Sequence, residues 1–332
     1  MSIKIAFFDA KPYDIAFFDA ENKKYGFEIK YFESRLSFDT ALLAAGFDAV
    51  CVFVNDHLDA ATIDRLYDQG LRLAVLRCAG FNNVDVEAAK GKLTVLRVPA
   101  YSPHAVAEYA LALILTLNRK THKAYQRTRE NNFRINGLLG FDLCGKTIGI
   151  IGTGKIGLTF IEVLSGLGMR ILAYDSFPNA ELQEKYGFTY ADLDTLYQES
   201  DIISLHCPLT DQTYHMINEE SLSKMKDGIM LINTGRGALI DSKALITALK
   251  SKKIGSAALD VYEEEENYFF EDISDEVMED DTLARLLSFN NVLITSHQGF
   301  FTKEAEQNIA AVTLKNVDAF FHRGDTSATE VK

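Results

Sequence analysis

Three side chains suited to binding an organic acid and moving a proton follow short apolar segments in the C-terminal half of the chain. They are Arg236, one of the glutamates in the run 263–266, and His297. An arginine fork can bind a carboxylate through paired hydrogen bonds, and histidine exchanges a proton near neutral pH. A carboxylate beside the histidine would orient its ring and favour the imidazolium form. Four glutamates stand in a row, and spacing alone does not separate them.

A glycine-rich turn near the middle of the chain predicts the ligand that would lie beside these groups. The apolar segment 144–151 runs into Gly152, Gly154 and Gly157, and a helical pattern follows. In dinucleotide-binding turns the first glycine permits the tight turn, the second lets the backbone approach the phosphates, and the third lets the helix pack on the sheet. The N–H groups at the start of that helix would bind a pyrophosphate.

Asp175 indicates which dinucleotide binds. It follows the apolar segment 170–174 and lies 18 residues beyond Gly157, where this fold places a carboxylate that accepts hydrogen bonds from the adenosine ribose. A 2′-phosphate would meet like charge there, and residues 176–178 include no arginine to neutralise it. We predict NAD rather than NADP. The alternative is that Asp175 is only the first polar residue of a loop.

The order of apolar segments predicts the elements that position these groups. Strand-like segments alternate with helix-like stretches, which is typical of parallel sheets covered by helices. Because the glycine turn lies mid-chain, a separate domain must precede it. We predict an α/β fold of two Rossmann-like, doubly wound parallel-sheet domains, with the cofactor domain (102–298) inserted into a substrate domain (1–101 and 299–332). The predicted strands of the first domain lie at 3–8, 28–32, 48–54, 71–77 and 94–98, and those after Asp175 at 201–206, 229–233, 255–259 and 292–296.

Two other segments carry structural expectations. The predicted helix 102–119 is apolar nearly all round, so it should link the domains or form part of an interface. The sequence Ala-Phe-Phe-Asp-Ala occurs at 6–10 and again at 16–20, a period too short for a packing unit. We expect the first copy to be strand and the second helix.

Composition limits the partners and the compartment. The chain of 332 residues has a net charge of −13, and this charge repels nucleic acid and anionic membranes. The longest apolar stretch, 110–117, is far shorter than a membrane span, and an acidic residue comes too early for a signal peptide. We therefore expect a cytoplasmic protein that binds neither nucleic acid nor membrane.

Cysteine and histidine spacing indicates no metal site. The acidic stretch 263–281 reads mainly as a solvated loop, since it lacks the spacing and the glycine of a calcium loop. The cysteines have no CxxC pair and lie in or beside apolar runs, as reduced and buried cysteines usually do. His104, His206 and His215 compete with His297 for the proton-transfer role, whereas His57, His122 and His322 have polar surroundings. The four cysteines are Cys51, Cys78, Cys144 and Cys207.

Taken together, the motifs resemble those of the D-2-hydroxyacid dehydrogenases, and within that family the bacterial fermentative D-lactate dehydrogenases. The resemblance covers nearly the whole chain. It is carried by residues 76–85, 98–103, 152–157, 204–210, 233–241, 260–263 and 297–300.

The resemblance implies a role for individual residues. Arg236 would anchor the substrate carboxylate, His297 would be the acid/base, and Glu265 would be its partner. Implied cofactor contacts are Gly152, Gly154, Lys155, Ile156, Gly157, Asp175, Cys207, Pro208, Thr234, Gly235 and Asp260. Implied substrate-binding residues are Cys78, Ala79, Gly80, Tyr101, Phe53 and Phe300, together with Arg236.

Two positions depart from the family pattern, because Gly235 stands where serine is usual and Gly299 where alanine is common. Both are expected to loosen the crevice slightly. Relatives form dimers and some form tetramers, so a homo-oligomer is implied.

The predicted function is NAD-dependent, reversible reduction of pyruvate to D-lactate. One alternative is a dehydrogenase for a bulkier D-2-hydroxy acid, of the isocaproate or phenylpyruvate type. Another is a non-catalytic NAD-sensing protein. A formate dehydrogenase is disfavoured because that branch lacks a glutamate partner for its histidine.

Overall fold

The computed structural model describes residues 2–323 and 326–331, and these form two compact units. Unit 1 runs to Ser102 and resumes at Phe301, and unit 2 is Pro103–Phe300. Each unit is built around its own parallel sheet, with five strands in unit 1 and seven in unit 2 within the described ranges. Both are α/β structures.

The N-terminal part of unit 1 alternates strand and helix. All five predicted strands are confirmed, and two of them, β3 and β4, are buried along their whole length, as expected for strands covered on both faces. The sheet has the order β2-β1-β3-β4-β5. Its elements are β1 (Lys4–Phe7), α1 (Pro12–Asn22), β2 (Glu28–Tyr31), β3 (Ala49–Val52), α2 (Ala60–Asp68), β4 (Leu73–Leu76), α3 (Val86–Ala89) and β5 (Thr94–Leu96).

Unit 2 has a sheet whose strand order reverses beside β6, giving β12-β11-β10-β9-β6-β7-β8. Ligands of such sheets bind at the carboxyl ends of the strands around that reversal. The elements are α4 (Pro103–Arg119), α5 (Thr121–Arg129), β6 (Thr147–Ile151), α6 (Lys155–Leu164), β7 (Arg170–Tyr174), α7 (Ala180–Tyr186), β8 (Thr189–Tyr190), α8 (Leu193–Glu199), β9 (Ile202–Leu205), α9 (Glu219–Lys224), β10 (Ile229–Asn233), α10 (Ser242–Lys250), β11 (Ile254–Leu259), α11 (Asp281–Leu287) and β12 (Val292–Ile294).

The C-terminal helix α12 (Lys303–Asp318) packs against α1 and β4, so the tail belongs to unit 1. Thr302 caps this helix by accepting a hydrogen bond from the N–H of Ala305. After α12, Glu330 pairs with Leu96 of β5 in an antiparallel bridge. The first and last segments of the chain thus lie in the same unit.

One local expectation is confirmed and one is wrong, and a linking or interface role for α4 stays a prediction. Of the two Ala-Phe-Phe-Asp-Ala copies, the first begins in β1 and the second lies within α1. Helix α4 buries Ala107, Ala110 and Leu113 in the core of unit 2. The cysteines were expected to be buried, yet Cys144 is exposed, because it lies in the turn before β6 rather than in the strand itself.

No helix among the described residues combines the length and the apolar character that crossing a membrane would require.

Candidate active site

A histidine and a glutamate meet at the carboxyl edge of the unit 2 sheet. Nδ1 of His297 lies 2.7 Å from Oε1 of Glu265, and both side chains are about four-fifths buried. The other carboxylate oxygen of Glu265 accepts the N–H of Tyr262 at 2.9 Å. Since the carboxylate uses Nδ1, the imidazole Nε2 is the nitrogen that a ligand would contact. Of the four consecutive glutamates, the structure thus places Glu265 beside His297.

Asp260, at the end of β11, shapes the loop that carries His297. Its carboxylate accepts hydrogen bonds from Oγ1 of Thr295 at 2.6 Å, from the N–H of Gln298 at 3.0 Å and from the N–H of Gly299 at 2.7 Å. Burial raises the pKa of Asp260, and these hydrogen bonds partly offset that effect. His297 has a φ of +52°, a left-handed conformation that persists only where the surroundings hold it. Its own N–H donates to the carbonyl of Asp260 at 2.7 Å.

The turn after β10 carries Arg236 and is held by the buried side chain of Asn233. The amide of Asn233 donates to the carbonyl of Arg236 at 2.8 Å and accepts the N–H of Gly235 at 3.0 Å. Arg236 is half-buried, and its Nη1 donates to the carbonyl of Gly235 at 2.8 Å. Because β10, β11 and β12 are neighbours in the sheet, the turns bearing Arg236, Glu265 and His297 leave the same edge side by side.

The glycine turn after β6 has the geometry of a phosphate cradle. Gly152 has a φ of +100°, which only glycine adopts readily. A Cβ at Gly157 would overlap the carbonyl oxygen of Gly152, whereas a Cβ at Gly154 would meet no protein atom within 4 Å. Helix α6 starts directly after Gly154, with Lys155 and Ile156 in its first turn. The turn is therefore tight on its protein side and open at the helix N-terminus, where an anion is favoured.

Asp175 follows β7 and lies against the same turn. Its carboxylate accepts hydrogen bonds from the N–H and Oγ1 of Thr153, at 2.7 and 2.9 Å, and from the N–H of Phe177 at 2.9 Å. Burial would raise the pKa of Asp175, but these hydrogen bonds outweigh it and hold the pKa below its usual value. Asp175 is therefore a carboxylate held in a fixed position, which can accept hydrogen bonds from ribose hydroxyls and would repel a 2′-phosphate.

The remaining predicted cofactor residues lie on neighbouring strand ends. Oγ1 of Thr234 is buried and has no hydrogen-bond partner in the part of the chain that the structure describes. Cys207 and Pro208 follow β9, and burial raises the pKa of the Cys207 thiol to about 11. An unpaired buried hydroxyl on the same sheet edge as an open phosphate turn fits a bound dinucleotide, since a buried polar group normally has a partner.

The predicted substrate-binding residues divide between the units. In unit 1, Phe53 follows β3, Cys78, Ala79 and Gly80 follow β4, and Tyr101 follows β5, all on the carboxyl side of that sheet. Phe300 is the last residue of unit 2 and is buried.

Arg77, which sequence reasoning did not single out, organises the carboxyl edge of the unit 1 sheet. It is fully buried, donates to the carbonyls of Phe8 and Asp9 at 3.1 and 2.7 Å, and lies over the ring of Phe53. The sequence feature that could have identified Arg77 is its position inside an apolar segment, directly before Cys78. A buried arginine needs nearby acceptors, so it marks a polar cluster in the core.

The competing histidines differ from His297 in their surroundings. His104 is exposed. Burial lowers the pKa of His206 to about 4, and its Nε2 lies 2.8 Å from Oγ of Ser204. His215 has a carboxylate partner, Glu263, but the contact uses its outer nitrogen, Nε2, at 2.5 Å. Sequence reasoning did not foresee this second histidine–glutamate pair.

The structure corrects one expectation about pocket size. A Cβ at Gly299 would lie 3.0 Å from Oδ2 of Asp260 and 3.3 Å from the ring of Tyr109, so a larger residue would press on the protein interior. Glycine at position 299 therefore does not widen an open crevice. At Gly235 a Cβ would make ordinary contacts, the nearest at 3.4 Å to Leu239, so its absence removes a little packing from that turn.

Comparison with known proteins shows which family the chain is similar to. Residues 111–299 match the family model described as "D-isomer specific 2-hydroxyacid dehydrogenase, NAD binding domain". The chain is 50% identical to the D-lactate dehydrogenase of Escherichia coli K12 over 330 residues, which covers 99% of this chain and 100% of the relative. The apo-structure of D-lactate dehydrogenase from E. coli superposes with a TM-score of 0.91 at 47% identity, covering 99% and 100% of the two chains. A structure reported as the pyruvate reductase of Chlamydomonas reinhardtii superposes with a TM-score of 0.93 at 41% identity, covering 98% of each.

Proposed function

Because the chain belongs to the D-isomer specific 2-hydroxyacid dehydrogenase family, and the matched domain is its NAD-binding domain, we propose that it interconverts pyruvate and D-lactate. The observation that carries the proposal is the contact of 2.7 Å between His297 and Glu265, on the same sheet edge as the glycine turn. The names of the relatives in E. coli and C. reinhardtii support pyruvate as the substrate.

In the direction of reduction, the proposed roles follow from the position of each group. NADH, when bound, supplies the hydride. His297 donates a proton from Nε2 to the ketone oxygen, and Glu265 holds the ring at Nδ1 and balances the charge of the imidazolium. Arg236 binds the substrate carboxylate, for which its planar guanidinium offers two parallel donors. In the direction of oxidation, His297 accepts the proton again.

The cofactor would be held by groups on β6, β7, β9 and β10. The N–H groups at the start of α6 bind the pyrophosphate, and Asp175 accepts hydrogen bonds from the ribose hydroxyls. The buried hydroxyl of Thr234 gains a partner on binding. Phe53, Tyr101 and the loop 78–80 of unit 1 stand as the proposed substrate-binding residues, with Phe300 of unit 2.

A substrate panel tests the proposal. The purified enzyme is assayed by NADH absorbance with pyruvate, 2-ketoisocaproate and phenylpyruvate, and in reverse with both lactate enantiomers and both cofactors. We expect the highest kcat/KM with pyruvate, reverse activity with D-lactate only, and a strong preference for NAD. A higher kcat/KM for phenylpyruvate or 2-ketoisocaproate would identify a dehydrogenase for bulkier acids. NADH binding without turnover would identify an NAD-sensing protein.

Two variants test the assigned roles. His297→Ala should lower kcat by roughly 10²- to 10⁴-fold, which is the usual effect of losing a positioned acid/base group. Arg236→Lys should mainly raise the KM for pyruvate, because an ammonium group cannot make the paired contact. Near-normal turnover in the first variant, or an unchanged KM in the second, would remove that residue from its role.

We further propose a homo-oligomer, built through the segment 133–139 of unit 2. Phe133, Ile135 and Leu139 are each at least 73% exposed, although the backbone around them is tied down. Nζ of Lys120 donates to the carbonyls of Gly137 and Leu139 at 3.0 and 2.9 Å. Large apolar side chains held in water on an ordered segment favour association with a second copy.

Light scattering coupled to size-exclusion chromatography tests the interface. The wild type should elute as a dimer or tetramer, and the double variant Phe133→Ser, Ile135→Ser should shift toward the monomer. The control is Val277→Ser, which changes an apolar residue that is equally exposed elsewhere in unit 2. A monomeric wild type, or a double variant with unchanged mass, would contradict the proposal.

A further inference from the structure

The second histidine–glutamate pair of unit 2 joins three segments that meet beside the active site. Oε1 of Glu263 contacts Nε2 of His215 at 2.5 Å, and Oε2 accepts the N–H of Ser242 at 2.9 Å. Both side chains are at least seven-tenths buried. Ser242 begins α10, which follows the turn that carries Arg236, and Glu263 lies two residues before Glu265. We call these three residues, His215, Ser242 and Glu263, the clamp.

His215 is itself held against the turn of Arg236. Its N–H donates to the carbonyl of Ala238 at 2.8 Å, and its own carbonyl accepts the amide of Asn218 at 3.0 Å. The ring of Tyr214 stacks on the imidazole with 4.0 Å between centroids, and His215 has a φ of +49°. An uncommon backbone conformation held by contacts on several sides indicates that the position of this ring is set by the fold.

The turn of Arg236 also packs directly on the backbone that leads to Glu265. A Cβ at Gly237 would overlap the carbonyl group of Tyr262 and crowd the N–H of Glu263. The N–H of Tyr262 in turn donates to Glu265. The distance from Arg236 to Glu265 and His297 therefore depends on how closely these two loops pack. The side chain of Glu263 bridges the two loops.

We propose that Glu263, held by His215, is a positioning residue that fixes Arg236 at the distance from Glu265 and His297 that a small 2-keto acid requires. The proposal rests on the proposed function of Arg236, Glu265 and His297. Glu263 itself touches none of the reacting groups. When its negative charge is removed, the contact with His215 weakens and the turn of Arg236 is free to move away from the loop that carries Glu265.

Steady-state kinetics of Glu263→Gln test this role. Glutamine keeps the shape of the glutamate side chain but lacks the negative charge that contacts both His215 and the N–H of Ser242. We expect the KM for pyruvate to rise roughly 10-fold, because small misplacement of a bound group is costly, while kcat falls less and the Kd for NADH, measured by fluorescence, stays near that of the wild type. Inhibition by oxamate, which carries the same carboxylate as pyruvate, should weaken by the same factor as the KM.

The chain offers matched controls for this experiment. Glu264→Gln changes the adjacent glutamate, which is exposed, and should leave the KM unchanged. His215→Ala should reproduce Glu263→Gln, His215→Gln should restore much of the affinity because its amide can donate, and the double variant His215→Ala, Glu263→Gln should be no worse than either single one, as expected for residues acting as a unit.

Failure of this proposal is distinguishable from failure of the proposed function. If Arg236→Lys raises the KM for pyruvate but Glu263→Gln and His215→Ala do not, the clamp has no positioning role. If the clamp variants lower the melting temperature with an unchanged KM, the pair is only structural, and the proposal is overturned. If Arg236→Lys also leaves the KM unchanged, the anchor itself is wrongly assigned.

Discussion

Glu306 of α12 should make the stability of the protein fall as pH rises. Its side chain is buried, and Oε1 has no hydrogen-bond partner in the described part of the chain. Burial raises the pKa of Glu306 to about 7, the negative charge of Asp14 adds to this effect, and Arg77 opposes it. Asp14 and Arg77 themselves form an ion pair of 3.3 Å inside unit 1. The carboxyl group is therefore protonated in the fold under conditions where an exposed glutamate is ionised.

The magnitude follows from the two pKa values. An increase from 4.5 to about 7 corresponds to about 3 kcal/mol at about 1.36 kcal/mol per pKa unit, and to about 2 kcal/mol when solvent screening is allowed for. Below pH 4.5 both states are protonated, so Glu306 carries no penalty. Between pH 4.5 and 7 the unfolded chain releases its proton first, so the free energy of unfolding falls as pH rises. Above pH 7 the penalty is complete.

Urea unfolding of the wild type and of Glu306→Gln, at pH values from 5 to 8, measures this effect. The variant cannot ionise, so its free energy of unfolding relative to the wild type should increase by about 2 kcal/mol between pH 5 and pH 8. Comparing the two proteins at each pH removes the contributions of other titrating groups, such as Asp56, whose pKa burial raises to about 6.

The control is Glu304→Gln, which changes an exposed glutamate on the same helix and should leave the pH dependence as in the wild type. The reasoning is refuted if wild type and Glu306→Gln lose stability in parallel from pH 5 to pH 8. It is equally refuted if Glu304→Gln reduces the pH dependence of the free energy of unfolding as much as Glu306→Gln does.

Two further predictions concern the active site and the cofactor. Glu265→Gln should lower kcat by roughly 10- to 100-fold with little change in the KM for pyruvate, because it removes the charge that stabilises the protonated His297; a normal kcat in a steady-state assay would argue against this pairing. Asp175→Ser should raise kcat/KM with NADPH at least about 10-fold and lower it with NADH, since the like charge facing the 2′-phosphate is removed; unchanged selectivity between the two cofactors would show that another group discriminates them.

The regular elements followed from the sequence because their signals are local and periodic. Every predicted strand of both sheets is present, and the reversal of strand order lies beside the glycine turn. One further strand, β8, was not predicted from the sequence. It has two residues, too few for any period to be read, and it forms only because β7 offers an edge.

Errors arose where burial depends on the exact path of a loop. Cys144 was expected to be buried because apolar residues follow it, but it lies just outside the strand. Gly299 was expected to widen a crevice, yet its missing side chain would point toward Asp260 and Tyr109. Residue type and position in the chain do not show in which direction a Cα–Cβ bond points once a strand has ended.

The sequence by itself predicted that a dinucleotide binds after β6 and that Asp175 favours NAD, and it located an arginine and a histidine at strand ends. These features depend on short spacings and on strand periodicity, and a small number of neighbouring residues is enough to encode both. Residue spacing left open which glutamate contacts which histidine, and the tertiary structure pairs Glu265 with His297, as the family resemblance implied, and Glu263 with His215, which nothing in the sequence indicated. Those pairings depend on loops brought together from 32 and 48 positions apart in the chain, and such contacts exist only after the sheet has set the ends of its strands side by side.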